Sequence, residues 1–125
     1  MLIDTDILIW YMRGNKRAYS IIENDKEIQI SVVTYMELIQ GMRNKNELQM
    51  LRKAFKRWNV DLLYINEEIS IQAMFLLEHH FLSHSLKIAD ALIAATALFY
   101  SLPLITGNKK HYAIISNLHI KNFKP

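Results

Sequence analysis

The chain has 125 residues, 51% of them hydrophobic, enough to bury the core of one domain spanning residues 1–125. It has no cysteine, which removes disulfide scaffolds, thiolate zinc sites and cysteine nucleophiles, and which fits a reducing cytoplasm. Fifteen Lys and Arg against twelve Asp and Glu leave a net charge of +3, a balance that tolerates a nucleic-acid partner without demanding one.

Met1-Leu2-Ile3 is a short apolar run that stops at Asp4 and reads as a strand, not as a signal peptide. Ile7 to Met12 predicts a helix stopped at Gly14, and Lys16 to Asn24 a second one. Ile28 to Val33 is β-branched and partly alternating, hence a strand, with Thr34 as the N-cap of a helix from Tyr35 to about Arg43. Glu47 to Trp58 is amphipathic: Leu48, Leu51, Phe55 and Trp58 share a face, with Arg52, Lys53, Lys56 and Arg57 toward the other. Val60 to Ile65 predicts a third strand, and Asn66 caps a helix to about Leu82. A further helix runs from about Ile88 to Ser101, Leu102 to Ile105 is a fourth strand, and Leu118 to Ile120 is a candidate fifth. The longest near-apolar run, Ala91 to Leu102, is too short to span a bilayer, so no membrane association is expected. Strands alternating with helices predict an α/β fold, an α/β/α sandwich on a central, mainly parallel sheet of four to five strands.

The acids are informative by position. Asp4 closes the first strand, Glu37 falls in the first turn of the helix after the second strand, and Asp90 lies near the start of the helix before the fourth. Ligands of open α/β sheets bind beyond the carboxyl ends of the strands, where the first two acids would lie and Asp90 can join them if its helix starts there. Each also has a structural reading. Asp4 suits a helix cap, Thr34 to Glu37 suits a capping box, and Asp90 suits the positive end of a helix dipole. Asp90 sits within Ile88-Ala89-Asp90-Ala91-Leu92-Ile93, where a carboxylate is expected to be desolvated, at a cost that pairing or a cation offsets. Oxygen donors without cysteine favour Mg²⁺, with Mn²⁺ able to substitute, over zinc.

Four segments then carry a resemblance. Leu2 to Ile9 resembles the opening strand-turn-helix of PIN domains, Val32 to Gly41 their second acidic motif, and Ile88 to Ala97 their third. Leu104-Ile105-Thr106-Gly107-Asn108, followed by Lys110-His111-Tyr112, resembles their fourth. The most similar subgroup is the VapC-like toxins of toxin–antitoxin pairs. The resemblance implies a homodimer and an acidic pocket holding Mg²⁺ or Mn²⁺ through Asp4, Glu37 and Asp90. It further implies endonucleolytic cleavage of RNA, often tRNA, to 5′-phosphate and 3′-hydroxyl ends, and a cognate antitoxin that blocks the pocket. Thr5, Asp6, Thr106 and Asn108 are supporting candidates. Asp6 stands where the family more often has Asn, and Asn108 where it often has an acid.

Other features weigh less. His80 and His84 are four residues apart, but Phe81 replaces the Glu that a zincin helix needs, so surface histidines are expected. Lys109 and Lys110 are better placed for RNA phosphates than the 52–57 stripe, since they adjoin the fourth motif. Trp10, Tyr11, Met12, Tyr35, Met36 and Met42 suit a core, a dimer contact or an antitoxin groove. Asp4-Thr5-Asp6 also suggests a phosphatase of the HAD type, but the chain has no Gly-Asp step for its acidic motif. A receiver-like domain lacks an Asp at the end of the third strand. A PIN-like scaffold that binds RNA or protein without cutting is the non-enzymatic rival.

Overall fold

The computed structural model describes residues 1–25, 27–83 and 85–125. In chain order they form β1 (Leu2–Ile3), α1 (Thr5–Met12), α2 (Lys16–Asn24), β2 (Gln29–Ser31), α3 (Val32–Gln40) and α4 (Lys45–Arg57). There follow β3 (Asp61–Leu63), α5 (Glu67–His80), α6 (Ile88–Phe99), β4 (Leu104–Thr106), α7 (Lys109–Tyr112) and β5 (Ile120–Asn122). The strands form a five-stranded sheet in the order β3-β2-β1-β4-β5, and every neighbouring pair is parallel.

Alternation along the strands makes the fold an α/β/α sandwich. Leu2 and Leu104 point into a core shared with α5, α6 and α7, where they meet Ile69, Ala94 and Tyr112. Ile3 and Ile105 point to the opposite core with α1, α2 and α4, against Ile7, Ile22 and Leu51. The central strands are therefore apolar on both faces, as strands buried between two helical layers must be. Each such Leu or Ile contributes about 1.5–3 kcal/mol by leaving water. In α6, Ala91, Ala94, Ala95 and Ala97 are all buried, and their small size lets the helix lie close to its neighbours.

Several element ends differ from the sequence expectation. Helix α1 starts at Thr5, not Ile7, because the Asp4 carboxylate accepts from the Thr5 amide and caps it. Strand β2 ends at Ser31, and the β-branched Val32 and Val33 open α3 instead of extending the strand. Ser31 is the cap, its hydroxyl accepting from the Val33 amide, so Thr34 is not the cap and Glu37 sits in the second turn. Helix α3 stops at Gln40, with Gly41 as its C-cap, short of Arg43. Strand β4 begins after Pro103, which has no amide to give a ladder, and it extends through Thr106. Strand β5 lies two residues later than expected, and the short helix α7 was not foreseen.

Candidate functional site

Residue Asp4 leaves the central strand β1 at its carboxyl end and is 4% exposed. Its Oδ1 accepts from the Thr5 amide at 2.8 Å, and its Oδ2 from the Thr106 hydroxyl at 2.7 Å. Burial nevertheless dominates, with the nearby Asp6 charge adding to it, and pushes the Asp4 carboxyl up to about 6. Asp6, in the first turn of α1, is anchored to the segment after β4: its Oδ2 accepts from the Gly107 amide at 2.8 Å. Its Oδ1 is buried without a hydrogen-bond partner. Burial raises the Asp6 carboxyl above the ordinary carboxylate range.

The strand edge gathers the other acids. Because α6 precedes the parallel strand β4, its first turn returns to the carboxyl ends of the strands and brings Asp90 there. Asp90 Oδ2 accepts from the Lys87 amide at 3.1 Å, so this acid does close the start of its helix. Its Oδ1 receives the Tyr112 hydroxyl at 3.4 Å, and His111 Nδ1 lies 3.6 Å from Oδ2. The Asp90 side chain is 16% exposed, less desolvated than its apolar neighbours in sequence suggest. Asp4 is the more buried acid. The exposed Glu37 joins through Thr5, whose hydroxyl donates to Glu37 Oε1 at 2.7 Å and lies 3.0 Å from the Thr34 hydroxyl. Thr106, fully buried, takes the Asn108 amide on the same oxygen that serves Asp4. The Asn108 side chain is exposed and makes no capping bond to α7.

Two residues of the fourth motif that were not named as site candidates also join the site. Tyr112 is fully buried, and its hydroxyl lies near enough to Asp4 to favour that carboxyl's charged form. Burial and the adjoining Asp4 and Asp90 charges push the Tyr112 hydroxyl itself upward, so it stays protonated and donates. Its place within the fourth motif was the signal available in the sequence. Gly107 was the other: a Cβ there would stand 2.6 Å from Asp6 Oδ2. Of the histidines, His79 is exposed and His80 half-buried, and His84 lies outside the described residues.

Among the described residues, no three His, Cys, Asp or Glu side chains stand together as a ready-made metal cage. The donor chemistry still suits a hard divalent cation. Two desolvated carboxylates lie side by side, one buried oxygen has no partner, and among the described residues neither Asp4 nor Asp6 is paired with a Lys or Arg. Mg²⁺ often binds through one or two carboxylates and keeps several waters, so a full protein cage is not required.

The comparisons agree with this arrangement. The PIN domain family matches residues 1–115. The chain belongs to the PIN-domain family. The chain is 32% identical over 123 residues to Ribonuclease VapC1 of Methanocaldococcus jannaschii, covering 97% of this chain and 85% of that one. Among solved structures, a toxin-antitoxin complex from Klebsiella pneumoniae superposes with a TM-score of 0.79 at 31% identity, over 94% of this chain and 93% of that one. VapBC-1 from nontypeable Haemophilus influenzae gives 0.81 at 26% identity, over 97% and 96%. In this VapC-like PIN domain, Thr5 joins Glu37 to the segment that Asp4 caps, and Thr106 joins Asp4 to the end of β4.

Proposed function

We propose that this VapC-like PIN domain is a divalent-metal-dependent endoribonuclease, the toxin of a toxin–antitoxin pair, acting on structured RNA such as tRNA. The observation that carries the proposal is Asp4, a buried carboxylate at the end of the central strand, beside Asp6 and linked through Tyr112 to Asp90. Such a group is costly in a dry pocket and becomes useful when a cation arrives. The printed name of the archaeal relative, a ribonuclease, supports the activity.

Asp4 and Asp90 would hold Mg²⁺ or Mn²⁺, with Glu37 reaching it directly or through water. When bound, the ion offsets charge on the scissile phosphate and makes a bound water more acidic. The chain does the positioning. Thr106 and the Thr5 amide fix both oxygens of Asp4, and Tyr112 steadies Asp90. Thr5 holds Glu37 by one oxygen, which leaves Oε2 to orient the attacking water and take its proton. Asp6 and Asn108 flank the pocket and are available to order its waters.

Two surfaces support the partners. A groove of about 660 Å³ between α1, α3 and α4, lined by Met12, Met42, Met50 and Trp58, reaches Glu37 and would seat an antitoxin segment beside the acids. Its place in the reading rests on the toxin–antitoxin complexes that the fold resembles. An apolar strip on α5, Ile71, Met74 and Phe75, 42–57% exposed, supports a homodimer.

The test is incubation of antitoxin-free protein with a tRNA pool in Mg²⁺, in Mn²⁺ and in EDTA, beside Asp90→Asn protein. Discrete cuts that require metal and vanish in the variant are expected. Equal cleavage by the variant would sink the assignment, and RNA bound yet never cut would favour the non-catalytic scaffold.

A further inference from the structure

Beyond Thr106 the chain turns into α7 and opens a second cleft, of about 600 Å³, against the end of β5. Its lining includes Asn108, Lys109, Lys110, His111 and Asn122. The cleft shares a wall with the acidic site. Gly107, at its rim, donates to Asp6, and His111 lies 3.6 Å from Asp90. Lys109 and Lys110 are exposed, and among the described residues neither is held in a salt bridge. No acid is among the described residues that line it. One edge of the sheet thus carries adjoining fields of opposite sign. The acids gather around Asp4, and the cations and amides gather around α7.

A polynucleotide is a row of phosphates, and only one of them can be at the point of cleavage. The next phosphate along the strand lies past the acids, where more carboxylates would repel it and cations would retain it. Lysine suits that task as a point charge that grips phosphate without reading bases, and the side-chain amides of Asn108 and Asn122 add donors. We propose that the α7 cleft is a backbone-phosphate subsite, in which Lys109 and Lys110 neutralise phosphates next to the scissile one. This rests on the RNA-cleaving reading above. It assigns these lysines to grip and register, with no part in base choice.

The experiment measures binding of a short fluorescein-labelled single-stranded RNA by anisotropy, in Ca²⁺, over a series of KCl concentrations. Three proteins are compared with the unaltered one: Lys109→Ser/Lys110→Ser, Lys109→Arg/Lys110→Arg, and Lys53→Ser/Lys56→Ser on the outer face of α4. Each lysine that neutralises a phosphate of a single strand contributes about 0.7 to the slope of log affinity against log salt. The α7 serine pair is expected to lower that slope by about 0.7 to 1.4 and to weaken every RNA sequence alike. The arginine pair should keep it, and the α4 pair should leave it unchanged. An unaltered slope in the α7 serine pair, or equal losses in both serine pairs, overturns the subsite. The same proteins assayed for cleavage in Mn²⁺ separate the two readings. If unaltered protein cuts RNA but the α7 slope does not move, the subsite fails and the nuclease stands. If it never cuts but the slope moves as stated, the nuclease fails and the subsite stands.

Discussion

Thr106 donates its hydroxyl to Asp4 Oδ2 at 2.7 Å, joining two residues 102 positions apart across neighbouring parallel strands. Without it, Asp4 would keep only the Thr5 amide and the more distant Tyr112 hydroxyl against its desolvation. Thr106→Val should therefore raise the Asp4 carboxyl further above 6, weaken Mn²⁺ binding and cost about 1.5–3 kcal/mol of stability for a lost bond to a charged group. Thr106→Ser should restore most of both. Calorimetric Mn²⁺ titration and urea unfolding of the two variants make the comparison.

Metal-free protein should carry an unusual pH dependence. Asp4 titrates near 6 when folded and near 3.8 as a free carboxyl, so the fold binds its proton more tightly than the unfolded chain does. The resulting stability is complete below about pH 3.8 and is lost as pH rises through 6, a span of about 3 kcal/mol. The difference between the unaltered protein and Asp4→Asn, followed by urea unfolding in EDTA at pH 5 and pH 7.5, isolates it. A difference that does not change with pH would contradict the burial of Asp4.

The same proton competes with the cation. If Asp4 holds the cation as proposed, Mg²⁺ or Mn²⁺ would have to displace its proton below pH 6, so affinity should fall by about tenfold per pH unit there and level off above it. Manganese EPR at pH 5, 6 and 7.5 reads this directly. Thermal stabilisation by Mn²⁺ should likewise be larger at pH 7.5 than at pH 5.

Gly107→Ala is expected to destabilise by about 1–3 kcal/mol, since a Cβ 2.6 Å from Asp6 Oδ2 forces that buried carboxylate to shift. The backbone angle is not the cause; the space is. Pairing it with Asp6→Ala should remove much of the cost, so the two substitutions should be clearly less than additive in urea unfolding.

Tyr112→Phe keeps the buried ring but removes the hydroxyl that touches Asp90. Stability should change by no more than about 1 kcal/mol. Mn²⁺ affinity should drop several-fold as Asp90 loses its donor and Asp4 its weaker one. A variant with unchanged affinity would mean that the hydroxyl merely fills space.

Much of this arrangement was legible in the residues. Asp4 ended an apolar run, which fixed the carboxyl edge of β1, and the α/β alternation supplied the parallel sheet. The start of α3 was hidden because Val32 and Val33 look like strand; only packing against the neighbouring helices and the Ser31 cap make them helical. The depth of each acid was also out of reach. Local hydrophobicity marked Asp90 as buried, yet the direction of a helix relative to the sheet decides exposure, and it leaves Asp4 the deeper. Tyr112 and Gly107 stood within the fourth motif, but their partners, on α6 and α1, are set by the tertiary fold and could not be read from the chain.

The clamp between Asp4 and Thr106 also sets a timetable. The first acid of the site is made about a hundred residues before the hydroxyl that holds it and the tyrosine that steadies Asp90. Until then β1 has no β4 beside it. The site proposed to cut RNA is therefore assembled only after the segment that carries Thr106 and Tyr112 has been made.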